Sequence, residues 1–180
     1  CALPISVSKG PGSYTGLRIG VSVAKGLCYG LGIPLISVNS LESLGNYTAL
    51  NTTQFFDIKP VSEPLFCPMI DARRMEVYTA LYNSAGEEIK PISAEIITEE
   101  FLLPELEKHP VLFFGDGAAK CKNVLTHPNA IFAGPEATSA VFMQQLSKKK
   151  FQLQQFEDVA YFEPFYLKNF VATIPKNKVF

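Results

Sequence analysis

Residues 7–31 read VSKGPGSYTGLRIGVSVAKGLCYGL, and this stretch decides the fold of the chain around it. An apolar, β-branched run at residues 3–7 leads into a glycine-rich turn at residues 10–16. A pattern of helical period follows, and either Ser13 or Thr15 can accept a hydrogen bond from a free amide as the helix N-cap. The stretch therefore predicts a strand, a tight loop and a long helix.

The predicted helix has a side of small residues and a polar side. Small residues recur every four positions and form a ridge along which another helix or strand can approach closely, namely Gly16, Gly20, Ala24 and Cys28. Polar residues lie on the opposite side, namely Arg18, Ser22, Lys25 and Tyr29. Two hypotheses stay open: the helix packs on a sheet of its own domain, or its ridge also meets a helix of another subunit.

The loop before the helix is a candidate anion-binding site. A helix start exposes free N–H groups and the positive end of the helix dipole. Gly10 and Gly12 allow close backbone approach, and Ser13 adds a hydroxyl, so these three residues are the candidate ligands. Arg18 lies in the first helical turn, where a positive charge is mildly unfavourable. We therefore expect Arg18 to meet an acidic group or a phosphate.

A second motif, MIDARRMEVY at residues 69–78, places charged residues between two strand-like runs. Asp71, Arg73 and Arg74 could hold an anion at this corner, which makes Arg73 a further candidate ligand. Alternatively, Asp71 and Arg73 pair and fix the corner. The sequence favours the structural alternative, because a partly buried pair fixes geometry.

Both motifs resemble those of the TsaB family, also called YeaZ. The first is KGPGSYTGLRIGVSVAKGLCYGLGIPLISVNSLESL at residues 9–44, and the second is the Asp-Ala-Arg and Val-Tyr pattern just described. The resemblance implies an α/β fold of the actin, Hsp70 and sugar-kinase superfamily, built from two RNase H-like halves. The chain begins at Cys1, and by this resemblance about 60 to 70 residues of the first half are missing.

The resemblance also implies a function. TsaB-like proteins are non-catalytic partners of the paralogous enzyme TsaD, and with the ATPase TsaE they support threonylcarbamoyl transfer to adenosine 37 of tRNA. They dimerise through the helix after the glycine loop. The implied interface for TsaD or for a homodimer consists of Thr15, Gly16, Arg18, Ile19, Gly20, Ala24, Leu27 and Cys28. No cofactor is expected on this subunit alone, whereas ATP or ADP is expected in a complex with TsaD and TsaE.

Composition sets bounds on these hypotheses. The chain has 180 residues, of which 47% are hydrophobic, and a net charge of −1. Without a basic excess, contact with tRNA is expected only jointly with a partner. We interpret the lysines at 148–150, and the pair Lys120 and Lys122, as solvated faces rather than RNA contacts. No apolar span of membrane length and no signal peptide are visible, so we expect a cytoplasmic protein without membrane contact.

The sequence as a whole predicts three regions. Residues 1–60 form the end of the first half, with a strand at 35–38 and a helix at 41–50 capped by Ser40. Residues 64–158 form the second half. Strands are predicted there at 65–71, 76–82, 87–97, 111–114 and 130–133, and helices from Thr98, at 118–125 and at 138–151. Residues 159–180 carry several aromatic side chains and are expected to pack back on the first half.

Residue types needed for catalysis are missing from the motifs. The loop lacks the lysine of a P-loop, and no acidic residue ends the second strand as in dinucleotide-binding folds. His109 and His127 are 18 positions apart, which does not match a metal-binding motif, and Ser13 has no recognisable base. We therefore expect neither catalytic residues nor a metal site. Two alternatives stay open: a nucleotide-binding or hydrolytic enzyme of the same superfamily, and a self-associating structural protein without an RNA role.

Overall fold

The computed structural model describes residues 3–55 and 62–168. It begins with a parallel β-α-β unit made of β1 (Ile5–Gly10), α1 (Tyr14–Leu31) and β2 (Leu35–Asn39). Ser13 caps α1, since its side-chain oxygen accepts a hydrogen bond from the Gly16 amide at 3.4 Å. Gly32 ends α1 in the left-handed conformation with φ 63°. Strand, loop and helix thus follow the order predicted from the sequence.

Helix α2 (Ser40–Leu50) follows β2 without a loop. Its N-cap is Asn39, whose Oδ1 accepts hydrogen bonds from the amides of Leu41 at 2.9 Å and Glu42 at 3.3 Å. The prediction of Ser40 as the cap is therefore wrong by one residue. Asn39 keeps an extended backbone and Ser40 is already helical, so the Ser40 hydroxyl bonds instead to Ser8 Oγ at 2.6 Å.

A five-stranded mixed sheet forms the rest of the protein. Its strands are β3 (Leu65–Asp71), β4 (Glu76–Tyr82), β5 (Glu88–Ile96), β6 (Val111–Phe114) and β7 (Ala130–Phe132). They lie in the order β5-β4-β3-β6-β7. The β3, β4 and β5 strands pair antiparallel, whereas β3, β6 and β7 pair parallel. The protein is therefore an α/β protein with one parallel pair of strands and one mixed sheet.

The helices around the mixed sheet are shorter than predicted. Helix α3 is limited to Leu103–Leu106, because Pro104 lacks an amide hydrogen and fits only in a first turn. The predicted helix at 118–125 is a short 3-10 turn at Ala119–Cys121 followed by turns. Helix α4 spans Gln144–Gln152 and follows a 3-10 turn at Ala140–Met143. Val141 of this 3-10 turn is exposed.

Each face of the mixed sheet is covered by its own hydrophobic core. One face carries Cys67, Met69 and Phe113, which pack with Leu102, Leu106 and Leu125. The other face carries Phe66, Tyr82 and Leu112, which pack against Leu44 and Ala49 of α2. Helix α2 also contacts β1 and β2, so it is the element shared by the two sheets. At Gly45 a Cβ atom would lie 2.5 Å from the Tyr82 ring, which shows how closely α2 approaches β4.

Residues 157–168, which we call the C-terminal strap, run from β2 across α1 and β1. The Glu157 amide donates to the Leu35 carbonyl at 2.9 Å, and the Phe165 amide donates to the Lys9 carbonyl at 2.7 Å. Between these two points Phe162 packs into the core beneath α1. At the end of the strap Lys168 forms an ion pair with Glu76 of β4. The strap therefore contacts both sheets.

Among the described residues, the structure contains no helix that is both long and apolar enough to cross a membrane.

Candidate functional site

The glycine loop is largely closed by the protein itself. Gly10 is buried and has φ 107°, and a Cβ atom there would lie 2.9 Å from both Leu17 Cδ1 and the Phe165 carbonyl oxygen. Gly10 therefore offers no surface to an anion, contrary to the sequence-based expectation. Its neighbour Gly12 has free space around it, and Ser13 is exposed but already engaged as the helix cap.

The β3–β4 corner is held by Asp71. Its carboxylate accepts a hydrogen bond from the Arg73 amide at 3.0 Å and forms an ion pair with Lys120. Lys120 also donates to the Glu76 carbonyl at 2.7 Å, and the Asp71 amide donates to Asp116 Oδ1 at 2.9 Å. Asp71 thus orders the turn through the Arg73 backbone rather than through its guanidinium. Lys120 has a structural role that its position 49 residues away did not reveal.

Arg73 is not brought to the glycine loop. It lies in the corner with φ 74°, beside Arg74 with φ 52°, and both side chains are exposed. Within residues 3–55 and 62–168, no hydrogen bond or ion pair joins Arg73 to Gly10, Gly12 or Ser13. The four residues predicted to bind an anion therefore belong to two separate places in the fold.

The hydrogen bond from Lys120 lowers the pKa of Asp71 below its ordinary value. A depressed carboxylate pKa stabilises the fold at neutral pH, and this contribution is lost as the pH falls through the folded-state pKa. We expect Lys120→Met to reduce stability at pH 7 by less than about 1 kcal/mol, since the pair is partly exposed. Thermal melts at pH 7 and pH 3 should show a smaller difference between wild type and variant at pH 3. Equal differences at both pH values would contradict this account.

Helix α1 turns Gly20, Ala24 and Cys28 of its small ridge toward its own sheet, whereas Gly16 is exposed. Ala24 is 5% exposed and Cys28 is 1% exposed, and both pack with Leu35. A Cβ atom at Gly20 would lie 4.0 Å from Val7 Cγ2 of β1. Ala24 and Cys28 are therefore buried against their own sheet in this chain, which disfavours the partner contacts predicted for them. Their small size lets α1 pack closely on β1 and β2, which is the first of the two hypotheses for the ridge.

The opposite side of α1 presents an exposed apolar surface. Ile19, Val23 and Leu27 lie one turn apart and are between 49% and 61% exposed. Glycines with free space around them lie beside this row, namely Gly26 and Gly30, and Gly16 touches only the Ser13 side chain. We call these six residues the α1 stripe. Thr15 is exposed at its N-terminal end.

The interface prediction from the sequence overlaps this stripe only in part. Gly16, Ile19 and Leu27 belong to it, whereas Val23, Gly26 and Gly30 were not among the predicted residues. The four-residue spacing of Ile19, Val23 and Leu27 is the signal that places Val23 in the same row.

Among the described residues, Arg18 contacts two tyrosines rather than an acidic side chain. Its Nε atom donates to the Tyr166 hydroxyl at 3.3 Å, and its guanidinium lies 4.8 Å from the Tyr14 ring centroid. Tyr14 and Tyr166 are stacked with their centroids 4.3 Å apart. One side of α1 therefore holds the C-terminal strap. Lys25 extends this contact by donating to the carbonyls of Ala160 at 3.1 Å and Phe162 at 2.9 Å.

The two histidines lie in separate structural contacts. His109 Nδ1 is 3.1 Å from the Glu63 carbonyl oxygen, and His127 Nδ1 accepts a hydrogen bond from the Asn129 amide at 3.2 Å. In the part of the chain that the structure describes, no group of three or more His, Cys, Asp or Glu residues is placed to hold a metal ion. The three described cysteines, Cys28, Cys67 and Cys121, are buried free thiols.

These features define an α/β protein with two sheets. Helix α2 packs on both sheets, and helix α1 exposes an apolar face. Two solved structures have this fold. One is an uncharacterised protein from Pseudomonas aeruginosa described as similar to peptidase YeaZ, with a TM-score of 0.69 and 22% identity over 91% of this chain and 73% of that one. The other is YeaZ from Pseudomonas aeruginosa, with a TM-score of 0.61 and 22% identity over 90% and 74%.

Residues 4–176 match the family model described as TsaD, tRNA N6-adenosine threonylcarbamoyltransferase, and the chain belongs to this family. Two relatives carry the name tRNA threonylcarbamoyladenosine biosynthesis protein TsaB. The Bacillus subtilis protein is 39% identical over 124 residues, which are 67% of this chain and 49% of the relative. The Haemophilus influenzae protein is 24% identical over 177 residues, which are 93% of this chain and 71% of the relative. The resemblance to TsaB and YeaZ is thus confirmed, and the matched region spans about half the length of the Bacillus subtilis relative.

Proposed function

We propose that this chain is a subunit of the machinery that makes threonylcarbamoyladenosine in tRNA, and that it pairs with a TsaD paralogue through the α1 stripe. The relatives named TsaB support the assignment to threonylcarbamoyladenosine synthesis. The main observation in favour of pairing is an exposed apolar row on one side of a well-formed helix, made of Ile19, Val23 and Leu27. Contiguous apolar side chains on a surface mark interaction sites, because their exposure to water is unfavourable.

The shape of the stripe supports a helix as the partner element. Gly16, Gly26 and Gly30 leave open positions beside the apolar row, so the backbone of a second helix can come close. The apolar side chains would then fill gaps on the partner helix. Thr15 lies toward the N-terminal end of α1, where it would contribute a polar contact at the rim, whereas Arg18 is already held by Tyr14 and Tyr166. The same surface would support a homodimer when the chain is alone.

We propose that the role in the reaction is non-catalytic. His109 and His127 lie in separate backbone contacts, and Ser13 serves as a helix cap. None of these residues is part of a described cluster that could perform acyl transfer. The paralogue would supply the transferase site, and TsaE would join the complex. ATP or ADP, and the tRNA itself, would bind to this joint assembly. We propose that the assembly acts in the cytoplasm.

We also propose a fold relation, which the likeness to the solved structures supports. The β1–β2 pair with α1 would be the end of one RNase H-like half, and the five-stranded sheet would be the other half. This arrangement would make the chain a member of the actin, Hsp70 and sugar-kinase superfamily. The parallel β-α-β unit and the mixed sheet on either side of α2 support this assignment.

Size-exclusion chromatography with light scattering tests the proposed pairing. The chain should be measured alone, the TsaD counterpart from the same organism alone, and then both together. We expect a one-to-one mixed complex that forms at the expense of any homodimer. Two unchanged elution profiles in the mixture would overturn the proposal.

Gly26→Ala tests whether the open positions of the stripe are used by a partner. Alanine should raise the stability of the isolated chain by about 1 kcal/mol, since Gly26 is exposed inside a helix and has free space around it. The same methyl group should weaken pairing with the paralogue. Thermal melts and titration calorimetry measure the two effects, with Gln145→Ala on exposed α4 surface as the control. A more stable variant that pairs with unchanged affinity would show that Gly26 lies outside the interface.

A further inference from the structure

The C-terminal end of α4 carries a surface that the proposed pairing does not use. Phe151, Leu153 and Phe156 are between 41% and 57% exposed there, and the two phenylalanine ring centroids lie 5.9 Å apart. Lys148 and Lys149 are exposed on the preceding helical turn. We call these five residues the basic-aromatic patch. It combines flat apolar side chains with positive charges.

The backbone holds this patch in one conformation. Gln154 has φ 54°, an uncommon value for a residue other than glycine, and the chain reverses there. Hydrogen bonds from the Gln155 amide to the Lys150 carbonyl at 2.9 Å and from the Phe156 amide to the Gln154 carbonyl at 3.1 Å fix the reversal. As a result, Phe156 returns beside Phe151.

Lys150 anchors the patch to the first sheet. Its ammonium donates to the Ser37 carbonyl at 2.8 Å, and Glu157 accepts a hydrogen bond from the Ser37 hydroxyl. Lys150 is therefore not part of a solvated face, contrary to the sequence-based interpretation. Lys148 and Lys149, in contrast, form no ion pair or hydrogen bond through their ammonium groups with any described residue. Their charges are available to a ligand.

The segment that carries the patch has positive charges only. Residues 137–156 contain three lysines and no aspartate or glutamate, although the whole chain has a net charge of −1. The next acidic residues, Glu157 and Asp158, accept hydrogen bonds from the Ser37 hydroxyl and from the amides of Ala160 and Tyr161, respectively. Such a surface complements a polyanion, and its exposed rings can stack on planar groups. Single-stranded nucleic acid offers phosphates and unstacked bases together.

We propose that the basic-aromatic patch binds single-stranded RNA, with phosphates at Lys148 and Lys149 and a base against Phe151 or Phe156. This inference rests on the proposed function, because it places a tRNA contact on this subunit. It also differs from the expectation that these lysines have no contact with RNA. The patch lies on α4, whereas the proposed protein interface lies on α1.

Fluorescence anisotropy of the isolated chain tests the proposal. The probe is a fluorescein-labelled single-stranded RNA with the sequence of a tRNA anticodon loop, titrated from about 50 mM salt upward. Lys148→Glu with Lys149→Glu should weaken binding about tenfold or more. It should also reduce the slope of log affinity against log salt by about 0.7 for each phosphate that is no longer neutralised. Phe151→Ser with Phe156→Ser should weaken binding about tenfold while the slope stays the same.

Lys108→Glu with Lys122→Glu is the matched control, because both lysines are exposed and lie outside the patch. This variant should bind within about twofold of wild type, where the patch variants lose about tenfold. No salt-dependent binding by the wild-type chain, or equal losses in control and patch variants, would overturn the proposal. It would also be overturned if the patch variants bind RNA normally but lose binding to phosphatidylglycerol vesicles or to the TsaD paralogue. RNA binding through the patch by a chain that does not pair with the paralogue would uphold this inference and contradict the proposed function.

Discussion

Val23→Glu is expected to abolish pairing with the TsaD paralogue, with an affinity loss of about 100-fold or more. Val23 lies in the middle of the α1 stripe and is 56% exposed, so the carboxylate is hydrated in the free chain. Pairing would bury this charge against apolar side chains without a partner, which is strongly unfavourable. The stability of the free chain should change by less than about 0.5 kcal/mol, because the position is on the surface.

Two further variants make this experiment specific. Gln145→Glu introduces the same charge on exposed α4 surface and should leave pairing unchanged. Ala24→Leu enlarges a buried residue of the small ridge and should lower the free energy of unfolding by about 1–3 kcal/mol. Titration calorimetry measures pairing, and urea unfolding measures stability. Native affinity in Val23→Glu would exclude the α1 stripe as the interface.

Gly115→Ala is expected to reduce the free energy of unfolding by about 3 kcal/mol or more. Gly115 follows β6 with φ 100°, a conformation that residues with side chains rarely adopt. A Cβ atom there would also lie 2.2 Å from the Met69 carbonyl oxygen of β3. Because the clash is with backbone rather than with a movable side chain, the neighbouring strands must shift to relieve it.

Gly12→Ala is the matched control for this backbone effect. Gly12 lies in the other glycine-bearing loop, and a Cβ atom there would meet nothing within 4 Å. We expect a change of less than about 0.5 kcal/mol. Urea unfolding followed by circular dichroism compares the two variants with wild type. Similar midpoints for Gly115→Ala and Gly12→Ala would show that the loop after β6 adapts, against the geometric argument.

The first β-α-β unit could be predicted from local signals. Ser13 at the start of α1 and Gly32 at its end are standard capping residues, and both act as such. The cap of α2 was harder to place, since Asn39 and Ser40 are both good cap residues and adjacent. Only the backbone conformation of Asn39 decides between them.

The orientation of α1 could not be predicted from periodicity. Small residues at every fourth position suit close packing against a sheet as well as against another helix. Ala24 and Cys28 proved to face the sheet, whereas Ile19 and Val23 face outward. Periodicity divides a helix into faces but does not say which neighbour each face meets. That information comes from β1 and β2, which flank α1 in the sequence, and from the strap, which packs on α1 from a distant part of the chain.

Contacts between distant residues were the main part of the site that sequence reasoning missed. Lys120 reaches Asp71 across 49 positions, and Tyr166 reaches Arg18 across 148. Neither pair has a local pattern that would reveal it. Helix lengths in the second half were also overestimated, because residues 99–102 and 122–124 form turns.

The position of α2 has a consequence for how the protein unfolds. Leu44 and Ala49 belong to the core of the five-stranded sheet, and the same helix contacts β1 and β2. Gly45 lets the Tyr82 ring lie directly on the helix backbone, so the sheets cannot separate without exposing this core. Loss of either sheet therefore removes the support of the other. The two parts behave as one cooperative unit, and heat or denaturant should unfold them together in a single transition.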